Sequence, residues 1–197
     1  MAVYNSLREQ GVNENYVETI KNIYENGTAI IRLHKDTNEI KIAKGVRQGD
    51  TISPKLFTAS LESIFRKTDW EGKGIRIDGE DLNHLRFADD IVITTGTPEE
   101  LQTMLTDLDR ESKKVDLKID RKKTKVMFNE NVPQKVIEIE GEVIEAVDEY
   151  IYLGQAIKLE KDHDNEINRR IALGWKAFGM NRDILKNNMT MCLKRRI

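Results

Sequence analysis

The 197 residues (22.8 kDa) suffice for one large domain or two small ones that bury well over half of the unfolded surface, which excludes a disulfide-stapled miniprotein. Apolar residues make up 39% and charged residues 34%, above the usual charged share of about 25%, so the chain leans polar without reaching the disordered class. Thirty-two Lys and Arg against 34 Asp and Glu leave a formal charge of -2, and a near-neutral whole announces no polyanion partner by itself.

In chain order, Val17, Ile20 and Tyr24 recur at helical spacing between the breaker Gly11 and a stop at Gly27. Two alternating segments, 28–34 and 39–44, flank Asp36, Thr37 and Asn38 and predict a hairpin. Gly45 to Gly49 form a glycine-bounded loop, after which Ser53, read as an N-cap, and Pro54 open a helix that carries Phe57, Leu61 and Ile64 to about Lys67. Asp78 and Gly79 stand between strands 75–77 and 82–87, a strong two-residue hairpin signal. Then come Phe87, Ala88, Asp89, Asp90, Ile91, Val92 and Ile93: apolar strand, acidic interruption, apolar strand. Thr97, Pro98, Glu99 and Glu100 supply the cap, the first-turn proline and the first-turn acids of a helix striped with Leu101, Met104, Leu105, Leu108 and Val115.

Short strands are predicted at 125–128, 136–140, 142–147 and 150–153, the middle pair turning at Gly141. From Asp164, Ile167, Ile171, Trp175 and Phe178 repeat along a helix. Residues 165–197 hold eight basic side chains and two acidic ones, an excess of six, so the rest of the chain carries -8. That asymmetry points to a polyanion-facing C-terminal segment. The interleaving of helices with hairpins favours an α+β layer over a doubly wound parallel sheet.

The single Cys192 allows no internal disulfide, the opening ten residues lack the apolar core of a signal peptide, and no apolar run reaches the ~18 residues of a membrane span. The reading is a soluble cytoplasmic or nuclear protein without a membrane partner. His34, His84 and His163 lie far apart and lack Cys partners, which argues against zinc.

Two adjacent aspartates between apolar strands are an unusual object, because neighbouring carboxylates repel unless a cation lies between them. Hard Mg²⁺ suits carboxylate oxygens, and two ions ~3.5 to 4 Å apart can activate a hydroxyl and stabilise departing pyrophosphate. Successive strand side chains point to opposite faces, so Asp89 and Asp90 can share a site only if the chain turns at 88–90. Alone, an Asp-Asp pair is more often a solvated turn. The polar loop Gly45-Val46-Arg47-Gln48-Gly49-Asp50 leading into Ser53-Pro54 adds a floor suited to a nucleotide and its template base.

Taken together, the run from Gly45 to Phe57, then Leu85-Arg86-Phe87-Ala88-Asp89-Asp90, then Leu117-Lys118-Ile119-Asp120 with Lys123-Thr124-Lys125, then Tyr152-Leu153-Gly154, resemble the reverse transcriptase domain of non-LTR (LINE-type) retrotransposons. The resemblance implies a palm-like antiparallel sheet with packed helices over 1–158 and a basic, helical, partial thumb over 159–197. It implies RNA-directed DNA synthesis, with two Mg²⁺ held by Asp89 and Asp90 as catalytic and metal-binding residues and Lys123 protonating the leaving pyrophosphate. Arg47, Gln48, Gly49, Phe87 and Ala88 would contact nucleotide and template. Tyr152, Leu153 and Gly154 would grip the primer, and Arg169, Arg170 and Lys176 would meet the nucleic-acid backbone. Its partners would be an RNA template, a DNA primer and deoxynucleoside triphosphates, with further association through an exposed sheet edge.

Two departures from the family pattern carry expectations of their own. Asp116 and Asp120 stand where the family has Gly and Asn, residues common at positive φ, so these positions are expected to strain a turn. The family's earlier aspartate, in an Ala-Phe-Asp segment, has no counterpart before Gly45. The expectation is a truncated copy, inactive or weak in isolation, with a noncatalytic nucleic-acid binder or a protein-interaction fragment as the alternatives.

Overall fold

The computed structural model describes residues 2–32, 37–41, 45–159 and 164–194. Two compact units share the chain: Met1–Val126 with Glu130–Glu145, and Met127–Asn129 with Ala146–Ile197.

In the first unit, α1 (Ala2–Glu9) and α2 (Glu14–Glu25) precede a hairpin of β1 (Thr28–Ala29) and β2 (Ile40–Lys41), then α3 (Ser53–Phe65). Thr28 pairs with Lys41 and Ala29 with Ile40; Ile30, Ile31 and Glu39 of the expected strands are not in strand conformation, and 33–34 and 42–44 lie outside the described residues. Two more hairpins follow, β3 (Ile75–Ile77) with β4 (Glu80–Leu82) and β5 (His84–Phe87) with β6 (Asp90–Ile93), before α4 (Pro98–Lys114). After β7 (Lys125–Val126), β8 (Glu138–Ile139) pairs with β9 (Glu142–Val143). β10 (Glu145–Ala146) carries the chain onward into the second unit.

α3 is the central beam of the first unit because it is apolar on two faces. Leu56 and Ala59 pack with Leu7 of α1 and Val17 of α2, while Leu61, Ile64 and Phe65 pack with Trp70 and with Met104 and Leu108 of α4. Burying each large aliphatic side chain contributes roughly 1.5–3 kcal/mol, so these two clusters hold the unit together. Polar tethers fix the register of α1 on α3: Gln10 donates to the Ala59 carbonyl at 2.8 Å, and Glu9 accepts from the Ser63 hydroxyl and from Lys67. Gln102 of α4 extends β8 like an added strand, donating to Glu138 O at 2.8 Å and accepting from Glu138 N at 2.9 Å.

The second unit contains the hairpin of β11 (Glu149–Tyr152) and β12 (Gln155–Lys158), then α5 (Asp164–Met180), α6 (Arg182–Lys186) and α7 (Met191–Lys194). No helix is long and apolar enough to cross a membrane among the described residues.

The α+β character expected from sequence is present, and among the described residues the strands do not join into one palm-like sheet. The described strands are two to four residues long and form six separate two-stranded ladders. Ladders this short leave their outer edges unpaired. The helix at 53 also starts differently: its N-cap is Ile52, without a side-chain cap, and Ser53 is the first helical residue, its hydroxyl engaged by Tyr24. Thr97 does cap α4, accepting from Glu100 N at 3.3 Å.

Candidate functional site

Among the described residues, four two-residue hairpin turns have a central residue at positive φ, and one differs from the rest. In Asp78-Gly79, Glu140-Gly141 and Leu153-Gly154 both central residues have positive φ with glycine second, the pattern of type I′ hairpins. Between β5 and β6 only Ala88 is positive, at 53°, and Asp89 is not. A positive first position normally belongs to glycine, so alanine holds this turn at a cost of about 1–2 kcal/mol. Strain of this kind collects at sites where the position of a side chain matters.

The turn at 88–90 is the one the sequence required for its aspartates. Phe87 pairs with Asp90 across it, and Asp89 is at its tip; both carboxylates are exposed. The base of the hairpin is held firmly. Arg86 donates to Glu62 Oε2 of α3 at 3.0 Å and lies 4.3 Å from the centre of the Phe65 ring, on whose other neighbour, His84, the ring stacks at 4.5 Å. Glu62 is held below the usual carboxylate range by its hydrogen bond from Arg66 and then by that from Arg86. Burial, followed by the nearby Arg86 charge, lowers the His84 pKa beside the aromatic rings. Ile91 and Ile93 close the hairpin onto the core. The anchored base and the turn at Ala88 together place Asp89 at the hairpin tip.

What Asp89 faces is an open pocket of about 590 Å³, lined also by Val46, Arg47, Gln48, Gly49, Asp50, Ser53, Pro54 and Phe57. Its polar wall is the loop before α3, and its floor is the first turn and a half of that helix. The structure thus brings Arg47, Gln48, Gly49 and Asp89 to one cavity from positions some forty residues apart. Ala88 belongs to the same turn, whereas the ring of Phe87 is largely exposed and does not line the pocket. A concave site of this size with an apolar floor, a cation, an amide and two carboxylates suits a small polar ligand with an apolar ring.

Lys123 does not join this cavity. Its side chain is 84% exposed, 3.7 Å from Asp120 Oδ2. The two family departures behave differently from each other. Asp116 does sit at positive φ, 62°, while Asp120 does not: its Oδ1 instead accepts from the backbone N–H of Lys122 and Lys123 at 3.1 and 3.3 Å, shaping the turn after Ile119.

In the second unit, Tyr152 ends β11, and Leu153 and Gly154 form the hairpin turn. Glu166 clamps that hairpin to α5, accepting from Ala156 N at 3.1 Å, from Arg169 Nε at 2.7 Å and from Arg170 Nε at 2.7 Å. The Arg169 bond leads in drawing the Glu166 pKa down to about 2. Two of the three expected backbone-binding cations are therefore already paired, and Lys176 remains exposed. Arg195 and Arg196 lie outside the described residues, as do His34 and His163.

A Mg²⁺ site asks for about six oxygens converging from several directions. Asp89 and Asp90 come from a single turn, and among the described residues no group of three or more His, Cys, Asp or Glu side chains stands close enough to hold an ion. The residues present do not by themselves compose a magnesium site.

Comparison with known proteins identifies the family. The family model described as reverse transcriptase (RNA-dependent DNA polymerase) matches residues 3–157. A transposon-derived protein of Caenorhabditis elegans is 39% identical over 108 residues, a stretch covering 53% of this chain and 39% of the relative. A retrovirus-related Pol polyprotein from a type-2 retrotransposable element of Drosophila melanogaster is 32% identical over 105 residues, or 53% of this chain and 10% of the relative. The Pol polyprotein of a type-1 element R2 from Nasonia vitripennis is 35% identical over 85 residues, or 43% and 8%. The chain thus spans well under half the length of each of these relatives.

Proposed function

Because this chain belongs to the reverse transcriptase family, and its resemblance to the non-LTR branch is matched by Pol polyproteins of retrotransposable elements, we propose that its pocket receives a deoxynucleoside triphosphate opposite an RNA template base during extension of a DNA primer. The observation that carries this reading is the pocket itself. Arg47, Gln48 and Gly49 meet Asp89 there, in an open cleft that offers an apolar floor to a base or sugar and polar groups to its rim.

Each residue then has a task the chemistry can use. Phe57 and Pro54 exclude water beneath the ring of the nucleotide. Gln48 supplies an amide able to donate and accept, and Gly49, at φ 87°, lets the backbone approach closely. Arg47 offers a planar cation for phosphate oxygens. Asp89 is the carboxylate at the reacting edge, while Asp90 pairs with Phe87 in the hairpin and does not line the pocket. The family implies a polymerase dependent on a divalent metal, and the two carboxylates of this turn fall short of its coordination shell.

Photocrosslinking of an azido-deoxyuridine triphosphate in the presence of an RNA template and DNA primer tests the assignment. Peptides from 45–57 and 85–93 should carry the label. Label confined to other peptides would overturn the pocket assignment. Labelled-primer extension that vanishes in Asp89→Asn would in addition give Asp89 its catalytic role.

A second reading, a noncatalytic nucleic-acid binder, is favoured by the absence of a metal-binding cluster among the described residues. It predicts binding without extension, weakening with salt by a log-log slope of about -0.7 per phosphate neutralised on a single strand.

A further inference from the structure

The loop that forms the polar wall of the pocket has every reason to swing. Gly45 and Gly49, both at φ 87°, bound it, and a Cβ at either would meet nothing within 4 Å. Yet the loop is pinned at three points, all of them from the last turn of α2. The Tyr24 hydroxyl donates to Asp50 Oδ2 at 3.4 Å and lies 3.0 Å from Ser53 Oγ, which as donor completes a Ser53 to Tyr24 to Asp50 relay. The Arg47 guanidinium lies 5.9 Å from the centre of the Tyr24 ring and donates to Ile23 O at 3.4 Å, at the negative end of that helix. Gly27 makes room for this: a Cβ there would stand 2.5 Å from Arg47 Nη2. The Tyr24 ring is itself packed against the Leu56 and Ala59 cluster, so the pin rests on the core.

We infer that Tyr24 is a positioning residue, which holds Arg47, Asp50 and Ser53 in place as one wall and so sets the width of the pocket opposite Asp89. The inference rests on the polymerase reading for the identity of the ligand, a deoxynucleoside triphosphate, and on geometry alone for the latch. Tyr24 itself is absent from the pocket lining, so its effect must pass through the loop.

Amide hydrogen exchange on the full chain separates the two. Tyr24→Phe keeps the ring and its packing but removes the relay. Exchange at Asp50 and Ile52, whose N–H groups bond to Arg47 O and Asp50 Oδ1, should rise roughly three- to tenfold, with the amides of α4 unchanged. Ser53→Ala removes only the Ser53 link and leaves Tyr24 donating to Asp50, so it should raise exchange less, and the double variant should not exceed Tyr24→Phe by more than experimental error, because that variant already removes both links. Retention of labelled dTTP on a poly(rA) template with an oligo(dT) primer should weaken by a similar factor while the melting midpoint holds within about 2 °C, a selectivity that a merely structural tyrosine would not give. Unchanged exchange in Tyr24→Phe, or additive effects in the double variant, would overturn the latch. Wild-type protein that retains no dTTP would instead overturn the polymerase reading and the ligand named here, and the exchange result would still decide the latch.

Discussion

Both units of this chain carry amphipathic helices, but the two are held together by different physics. In the first, Val17, Ile64, Met104 and Ile137 are almost fully shielded, and α3 is wedged between two apolar clusters. In the second, none of the described residues is buried: Ile167, Ile171, Trp175 and Met180 of α5 all stand exposed, and its order comes from a hairpin ladder and the Glu166 clamp. An amphipathic pattern in sequence therefore fixes a helix in both units, but only where a second apolar surface is supplied does it also fix tertiary structure.

The contrast breaks most visibly under truncation. Ile64→Ala, at 1% exposure inside the α3–α4 cluster, should cost about 2–5 kcal/mol in urea unfolding of the first unit. Ile171→Ala on α5 should cost less than about 0.5 kcal/mol. Equal costs would mean that the α5 face is covered in solution. Backbone strain gives the next effect: Asp116→Gly relieves a residue at φ 62° and should raise the stability of the first unit by about 1 kcal/mol, read in the same titration. Arg86→Ala removes a half-exposed ion pair and a guanidinium over Phe65. It should cost under about 1 kcal/mol globally, yet make the 84–93 amides exchange faster, because the hairpin base is loosened while the α3–α4 core stays.

The smallest effect sharpens the account of the second unit. Glu166 has its pKa lowered, so its contribution is fully present above the ordinary carboxylate value of 4.5 and fades as pH falls towards about 2. An NMR titration should show the Ala156 amide shifting in that window. Movement centred near 4.5 would mean that the Arg169 and Arg170 pairing does not persist in solution.

Much of this was legible where the signal is local. Thr97-Pro98-Glu99-Glu100 announces α4 because cap, proline and acids all act within one turn, and Asp78-Gly79 announces its hairpin because few residues accept positive φ. α1 was missed for the opposite reason. Its helix carries only Val3, Tyr4 and Leu7 as large apolar residues and is stabilised by α3, some fifty residues away. The site divides the same way. Arg47, Gln48, Gly49 and Asp89 were readable as motifs, whereas Tyr24 offers no motif and enters only once folding brings α2 beneath the loop. Ser53 resembled a cap because hydroxyls usually serve the backbone of their own helix; here its partner is that distant phenol.

Ala88 has one more implication. An alanine in a glycine's conformation trades comfort for obedience: the turn resists forming, but once formed it has few other shapes to visit. Ala88→Gly should make the protein harder to melt and, at the same moment, let the neighbouring carboxylate wander. Robustness and aim would then move in opposite directions from the exchange of a single methyl group.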